Sequence, residues 1–280
     1  MMYSVVLLLA LPALSTSFTF SPQTTFLRNR PSTFPSTSLY GWGPDPVFAP
    51  SSVTSVSLLT PEITKFALSY DRASEFTKGG QYVQVKATPD AENVSYLAVS
   101  AAPEAAQKDG CLEFIVKKSD STQYLFEGGG PSSVSVSQPM GSGFKVDEVL
   151  GGFPDFPVSQ FVLACTGTGI SPVLSLLKSG ELQLGNGRTA KLYWGVRTKE
   201  PWQDDVLSSV SSLGVTCVPV YSNPVESERV GYVQNALEED GISVPRNTAI
   251  VMVGQRGMAD AVRRIAEEAG VEKDRVLSNF

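Results

Sequence analysis

The hydropathy period changes once along this chain, and that change limits the possible folds more than any other feature. From about residue 52 to 155 apolar residues recur at every second position, as in "SVTSVSLLTPEITKFALSY", "QYVQVKAT", "SYLAVSAAP", "CLEFIVKKS" and "SSVSVSQPM". A period of two belongs to a strand with one buried face. The clusters "KGG", "KDG" and "EGGGP" punctuate these runs. Short strands separated by turns every 8–12 residues or so predict an antiparallel barrel or sandwich. From about Ser159 strands and helices alternate. The strands read "QFVLACT", "RTAKLYWGV", "GVTCVPVYS", "TAIVMVG" and "DRVLSNF", with helical stretches such as "SPVLSLLKSG" and "GMADAVRRIAEEAG" between them. That alternation predicts right-handed crossovers and a parallel sheet. Pro172 and Pro201 suit first helical turns, and Gly180, Gly214, Gly241 and Gly270 suit helix ends.

The N-terminal 45 residues stand apart from both patterns. "VVLLLALPAL" (Val5 to Leu14) is shorter than the roughly 20 residues a bilayer-spanning helix needs. It has the length of a signal-peptide core, with Ser15 and Ser17 placed for cleavage before Phe18, although no Lys or Arg precedes it. The following "FTFSPQTTFLRNRPSTFPSTSLYGW" is rich in Ser, Thr, Pro and Phe and has no acid, as in a transit peptide. The pair resembles the two-part plastid presequence of diatoms and related algae. The expectation is a plastid protein; the alternative is a secreted protein with an N-terminal linker.

Composition removes several function classes. The chain has no His and three Cys (Cys111, Cys165, Cys217). Imidazole-based nucleophilic catalysis and His-ligated metal sites are excluded. Three scattered Cys form neither a disulfide framework nor a four-thiolate site, so no metal site is expected. The net charge of −6 argues against nucleic acid as a partner. Chemistry here must come from carboxylates, hydroxyls, Lys, Tyr or a cofactor, and a cofactor suits a chain so poor in catalytic groups.

One turn is built to hold an anion. In "ACTGTGISPVLSLL", Thr166, Gly167, Thr168 and Gly169 join the first strand of the parallel sheet to its first helix. Glycines allow a sharp turn and close approach of backbone to ligand. Ser171 is placed to cap the helix. Free amides at a helix start attract a nucleotide pyrophosphate. The sequence is neither the full G-x-G-x-x-G fingerprint nor a phosphate loop ending in G-K-[ST], so a ligand-free strand–helix turn remains the alternative.

Taken together, "TGTGISPVLSLL", "KLYWGVRTKEPWQDDVL", "GYVQNAL", "VMVGQRGMADAVRRI" and "GVEKDRVLSNF" resemble the ferredoxin–NADP reductase-like superfamily in order and spacing. "KGGQYVQV", "LEFIVK" and "PMGSGF" resemble its N-terminal half, and the likeness runs over roughly residues 55 to 280. Within that superfamily the wording is most similar to a plastid branch, the kiwifruit fruit-protein type. The resemblance implies a targeting segment at 1–45, an FAD-binding antiparallel β-barrel at 46–157 and an NAD(P)-binding α/β domain with a five-stranded parallel sheet at 158–280. It implies hydride transfer between NAD(P)H and FAD. Thr166 to Gly169 would cradle the pyrophosphate and nicotinamide end. Gly195 and Arg197 would lie beside the adenosine, unless Arg197 is simply a solvated surface residue. Gly254 and Met258 would close the other side.

The flavin half departs from its relatives. The superfamily signature R-x-Y-S supplies an Arg to the flavin pyrophosphate, a Tyr against the ring and a Ser to ring N5. Aligned on it, "SYLAVSAAP" offers Ser95, Leu97 and Ala98, with Tyr96 and Val99 beside them. Ser121 and Thr122 of "KSDSTQYL" stand where a second phosphate contact would be, or form an ordinary turn. Val253 occupies a position often held by Cys in relatives. In "YSNPVESERVGY" Asn223 takes the place of a 2′-phosphate-binding cation, Glu226 and Glu228 repel one, and Arg229 is the nearby positive charge. This favours NAD over NADP. Phe280 is expected to end the last strand. Two functions follow: a flavin-dependent NAD(P)H oxidoreductase that passes electrons to a carrier protein or small acceptor, or a non-catalytic nucleotide-binding or electron-transfer subunit that has lost strong flavin binding.

Overall fold

The structure is a computed structural model, and it describes residues 45–152 and 154–279. The targeting segment and Phe280, on which expectations were placed above, lie outside these residues.

The N-terminal half consists of β1 (Ala49–Thr60), β2 (Ile63–Ser69), β3 (Tyr82–Lys86), β4 (Ser95–Ala98), α1 (Pro103–Asp109), β5 (Cys111–Lys117), β6 (Ser133–Val136) and α2 (Val146–Gly151). The six strands form one antiparallel sheet in the order β4-β3-β6-β1-β2-β5. Alternation does what it predicts: Phe66, Leu68, Val83, Val85, Leu112, Phe114, Val116, Val134 and Val136 converge in one core. Phe66 and Phe114 stack there with ring centroids 5.6 Å apart. The sheet curls because β1 changes partner midway. Its first residues pair with β6, the rest with β2, and the register slips between Val53 and Ser55. Such irregularities bend a strand and raise its twist. The two edges then approach, and Ser100 N–H donates to the Glu113 carbonyl at 2.8 Å. The result is the nearly closed antiparallel barrel. α1 breaks the two-residue alternation: it starts at Pro103 and ends at Gly110 in the left-handed conformation.

The C-terminal half runs β7 (Gln160–Thr166), α3 (Ile170–Ser179), β8 (Thr189–Val196), α4 (Pro201–Ser212), β9 (Val215–Tyr221), α5 (Val233–Asp240), β10 (Thr248–Val253), α6 (Arg256–Ala269) and β11 (Val276–Ser278). Its five strands are parallel in the order β11-β10-β7-β8-β9, as expected. The helix-end glycines fall where the sequence put them, after α3, α4, α5 and α6. α5 and α6 cover one face of the sheet through Val233, Leu237, Met258 and Val262. α3 is different: every residue from Ile170 to Leu177 is buried. It is buried all round because it lies between sheet and barrel, sharing a core with Ile115 and Phe144. Polar ties cross the same junction, including Gly79 N–H to Glu181 Oε1 at 2.8 Å.

Candidate functional site

β7 is the central strand, with β8 on one side and β10 on the other. The chain therefore leaves β7 at a topological switch point, where open α/β sheets bind ligands beyond the strand ends. Thr166 ends β7 and stands beside Gly195 of β8 in register. A Cβ on Gly254 would lie 2.4 Å from Thr166 Oγ1, and one on Gly195 would lie 2.7 Å from Val233 Cγ2. A Cβ on Gly169 would sit 3.0 Å from the Val253 carbonyl oxygen. These three glycines let strand ends and helices approach one another. Gly167 serves the turn itself, since its φ of +53° redirects the chain and open space surrounds it. Trp194 Nε1–H holds the turn by donating to the Gly167 carbonyl at 2.9 Å.

Ser171 does not cap α3, which has no side-chain cap. Its hydroxyl instead accepts from Ile115 N–H (3.3 Å) and donates to Ile115 C=O (3.2 Å). Ile115 belongs to the edge strand β5, whose outward backbone groups need partners once buried. The helix that follows the Gly-Thr-Gly turn and the barrel are thus joined by one buried side chain.

Between them lies a cleft of about 360 Å³. Its barrel wall includes Tyr96, Leu97, Ala98, Ser121 and Thr122, and its α/β wall includes Thr168, Gly169 and Ser171. Residues picked from two distant sequence stretches therefore face one space. Thr166 and Gly167 adjoin it along the turn. Gly195 and Gly254 stand beside Thr166 at the sheet edge, and Arg197 follows β8 as an exposed side chain. Two of the candidate residues are buried in cores. Val99 is fully buried in the barrel core, in the same cluster as Leu97. Met258 is 6% exposed and packs in the core shared by α5 and α6, with its Cε 2.7 Å from where a Cβ on Gly254 would lie.

The positions aligned with R-x-Y-S are occupied as follows. Ser95 is buried and donates to the Ser121 carbonyl at 2.5 Å, so its hydroxyl is committed within the chain. Leu97 offers an apolar wall, and Ala98 has no donor. Tyr96 is 67% exposed at the rim, tilted against Tyr82 with centroids 6.0 Å apart. Thr122 is buried and acts as a turn residue: Oγ1 donates to Lys117 C=O (2.8 Å) and accepts from Ser119 N–H (2.8 Å). Ser121 remains at the cleft, within 3.3 Å of the Ser119 hydroxyl.

Sequence reading missed several walls of this cleft: Val116, Lys117, Lys118, Ser119 and Pro172. The dipeptide Lys117-Lys118 was the available signal, two cations directly before a Ser/Thr turn in a chain that lacks the expected Arg. The donor set fits a flavin. Leu97, Val116, Pro172 and Val253 form apolar walls suited to an aromatic ring system, and the lysines and hydroxyls at one end suit phosphate.

Near the end of β9 the charges are already paired. Lys199 Nζ binds Glu228. Arg229 binds Glu239 at 2.6 Å and Asp240 at 2.8 Å. Asp240 also accepts from Lys191 Nζ (2.5 Å) and Tyr193 OH (2.8 Å). The Lys191 bond, with those of Tyr193 and Arg229, holds the Asp240 carboxyl far below the usual range. Burial pushes the Cys165 thiol well up, as befits a core residue. Among the described residues no cluster of metal-ligating side chains occurs, and no helix is long and apolar enough to cross a membrane.

Comparison with known proteins agrees with this architecture. The family described as Oxidoreductase NAD-binding domain matches residues 163–264. Fruit protein pKIWI502 of Actinidia deliciosa is 27% identical over 252 residues, covering 85% of this chain and 77% of that one. The ferredoxin reductase of carbazole 1,9a-dioxygenase superposes with a TM-score of 0.66 at 19% identity, over 84% of this chain and 69% of that one. A ferredoxin NADP+ reductase from Neisseria gonorrhoeae, with bound FAD and NADP, gives a TM-score of 0.65 at 21% identity, over 80% and 92%. The fold is that of the ferredoxin reductase-like FAD/NAD(P)-binding superfamily. In this chain the Thr168–Gly169 turn and the β4–β5 wall of the barrel line one cleft.

Proposed function

We propose that this chain is a flavin-dependent oxidoreductase that takes hydride from a nicotinamide dinucleotide, NADH in preference to NADPH. The observation that carries the reading is the single cleft in which the Thr168–Gly169 turn faces the β4–β5 wall of the barrel. A bound flavin would supply the hydride acceptor. The chain's own part is to bind, orient and exclude water. Thr166 to Gly169 present backbone to the dinucleotide, and Gly195 and Gly254 keep the sheet edge on either side clear of side chains. Leu97, Val116, Pro172 and Val253 keep water from the reacting faces. No general acid or base is required of a hydride step, which suits a site without His.

The preference for NADH follows from charge. Lys199 is paired with Glu228, and Arg229 with Glu239 and Asp240. A 2′-phosphate would have Arg197 for a partner and Glu228 for a neighbour of the wrong sign. A second reading, a nucleotide-binding subunit without flavin chemistry, is favoured by Ser95 and Ala98 at the signature positions. The electron acceptor is proposed to be a carrier protein or a small molecule, and the plastid remains the proposed location from the N-terminal composition.

The test is turnover with an artificial acceptor. The full chain, supplied with FAD, is expected to reduce ferricyanide with NADH and to show at least about tenfold lower kcat/KM with NADPH. Nucleotide binding without turnover in the presence of bound flavin would favour the subunit reading.

A further inference from the structure

A flavin phosphate beside β4 meets no cation on that strand, because Ser95 is buried and its hydroxyl is bonded to the Ser121 carbonyl. The cations on the cleft wall are Lys117 and Lys118, at the end of β5. Strand alternation separates them. Ile115 packs toward α3, whereas Phe114 and Val116 face the barrel core. Lys118 N–H still donates to Glu62 C=O at 2.8 Å, so the extended pairing continues through it. Lys117 therefore follows the face of Ile115 toward the α/β half, and Lys118 follows Val116 toward the barrel mouth. The Lys118 ammonium lies 5.9 Å from the Phe126 ring centroid on that side. Lys118 has no ion-pair partner among the described residues.

The backbone that carries Lys118 is held in place. Thr122 Oγ1 bonds to Lys117 C=O and to Ser119 N–H, and Ser95 ties the same turn to β4. We propose that Lys118, with the Ser119 and Ser121 hydroxyls, forms the anchor for the flavin phosphate, so that the charge expected on β4 has moved to the end of β5. Asp120 lies in the same turn, and beyond Ser121 a neighbouring cavity is lined by Glu92, Asp120 and Glu127. Negative charge there leaves Lys118 as the place for the phosphate on the flavin's ribityl chain. The inference rests on the flavin reading above.

The test is titration of the full chain with riboflavin, FMN and FAD, followed by flavin fluorescence. A charge-assisted phosphate contact predicts that Lys118→Ala weakens FMN and FAD by about 10- to 100-fold and riboflavin by less than about twofold. Lys118→Arg should retain binding, and Lys108→Ala on α1 should leave it unchanged. Added salt should weaken FMN binding more in the parent than in Lys118→Ala. Whichever phosphorylated flavin binds more tightly identifies the cofactor. Lys118→Ala within twofold of the parent for all three flavins, or an equal loss for riboflavin, overturns the anchor and leaves the flavin reading standing. A parent chain that binds none of the three overturns both.

Discussion

Ile115 occupies an edge strand, where an N–H and a C=O have no sheet partner of their own, and Ser171 supplies both bonds from α3. Burial makes that pairing obligatory, since an unpaired buried backbone group costs about 1–3 kcal/mol. Ser171→Ala is therefore expected to lower stability by about 1–3 kcal/mol. It should also loosen the cleft, because Ser171 is one of its walls. Denaturant unfolding measures the first effect, and an unchanged midpoint would show that the tie is dispensable. The sequence marked Ser171 for a different reason, as a helix cap. Its position after Gly-Thr-Gly was visible, but its partner was not, because a side chain reaching across 56 residues to a strand edge leaves no local pattern.

At the scale of elements, α5 shows how a helix is fastened beside the carboxyl ends of the parallel strands. Its first residue, Val233, packs over Gly195, and its last, Asp240, puts a negative charge at a helix C-terminus, where the dipole disfavours it. Lys191, Tyr193 and Arg229 reverse that penalty. The Asp240 carboxyl has a lower pKa folded than unfolded, so its contribution is complete above the ordinary Asp value of about 4 and is lost as pH falls through the folded value. Asp240→Asn should thus be less stable than the parent near pH 7 by about 1 kcal/mol, and the gap should close as pH falls below about 4. Thermal unfolding at several pH values checks this; a gap independent of pH would contradict the charge network. The long elements of the α/β half were legible because strand runs, first-turn prolines and terminal glycines all agreed. α1 escaped because seven residues between two strands, "PEAAQKD", carry too little periodicity to stand out.

In the whole molecule, two sheets of different build meet along β5 and α3 and leave a cleft at the switch point of the parallel sheet. The change of hydropathy period announced both sheets, and Gly-Thr-Gly marked one wall of the cleft. The other wall was harder to read. The expected Arg and Ser are replaced by Ser95 and Ala98, and Lys117 and Lys118, which the fold brings to the same space, belong to a different strand. Val99 and Met258, sequence neighbours of the candidate residues, are buried in the two cores. The walls are shared: Gly169 and Ser171 face the same volume as Leu97 and Ala98.

The most direct measurement is an anaerobic visible spectrum of the purified, flavin-supplied chain before and after one equivalent of NADH. The account predicts a yellow protein whose bands, near about 370 and 450 nm as for flavoproteins generally, bleach on addition of NADH. A colourless protein that retains no flavin, or a yellow one that NADH leaves unbleached, would contradict it.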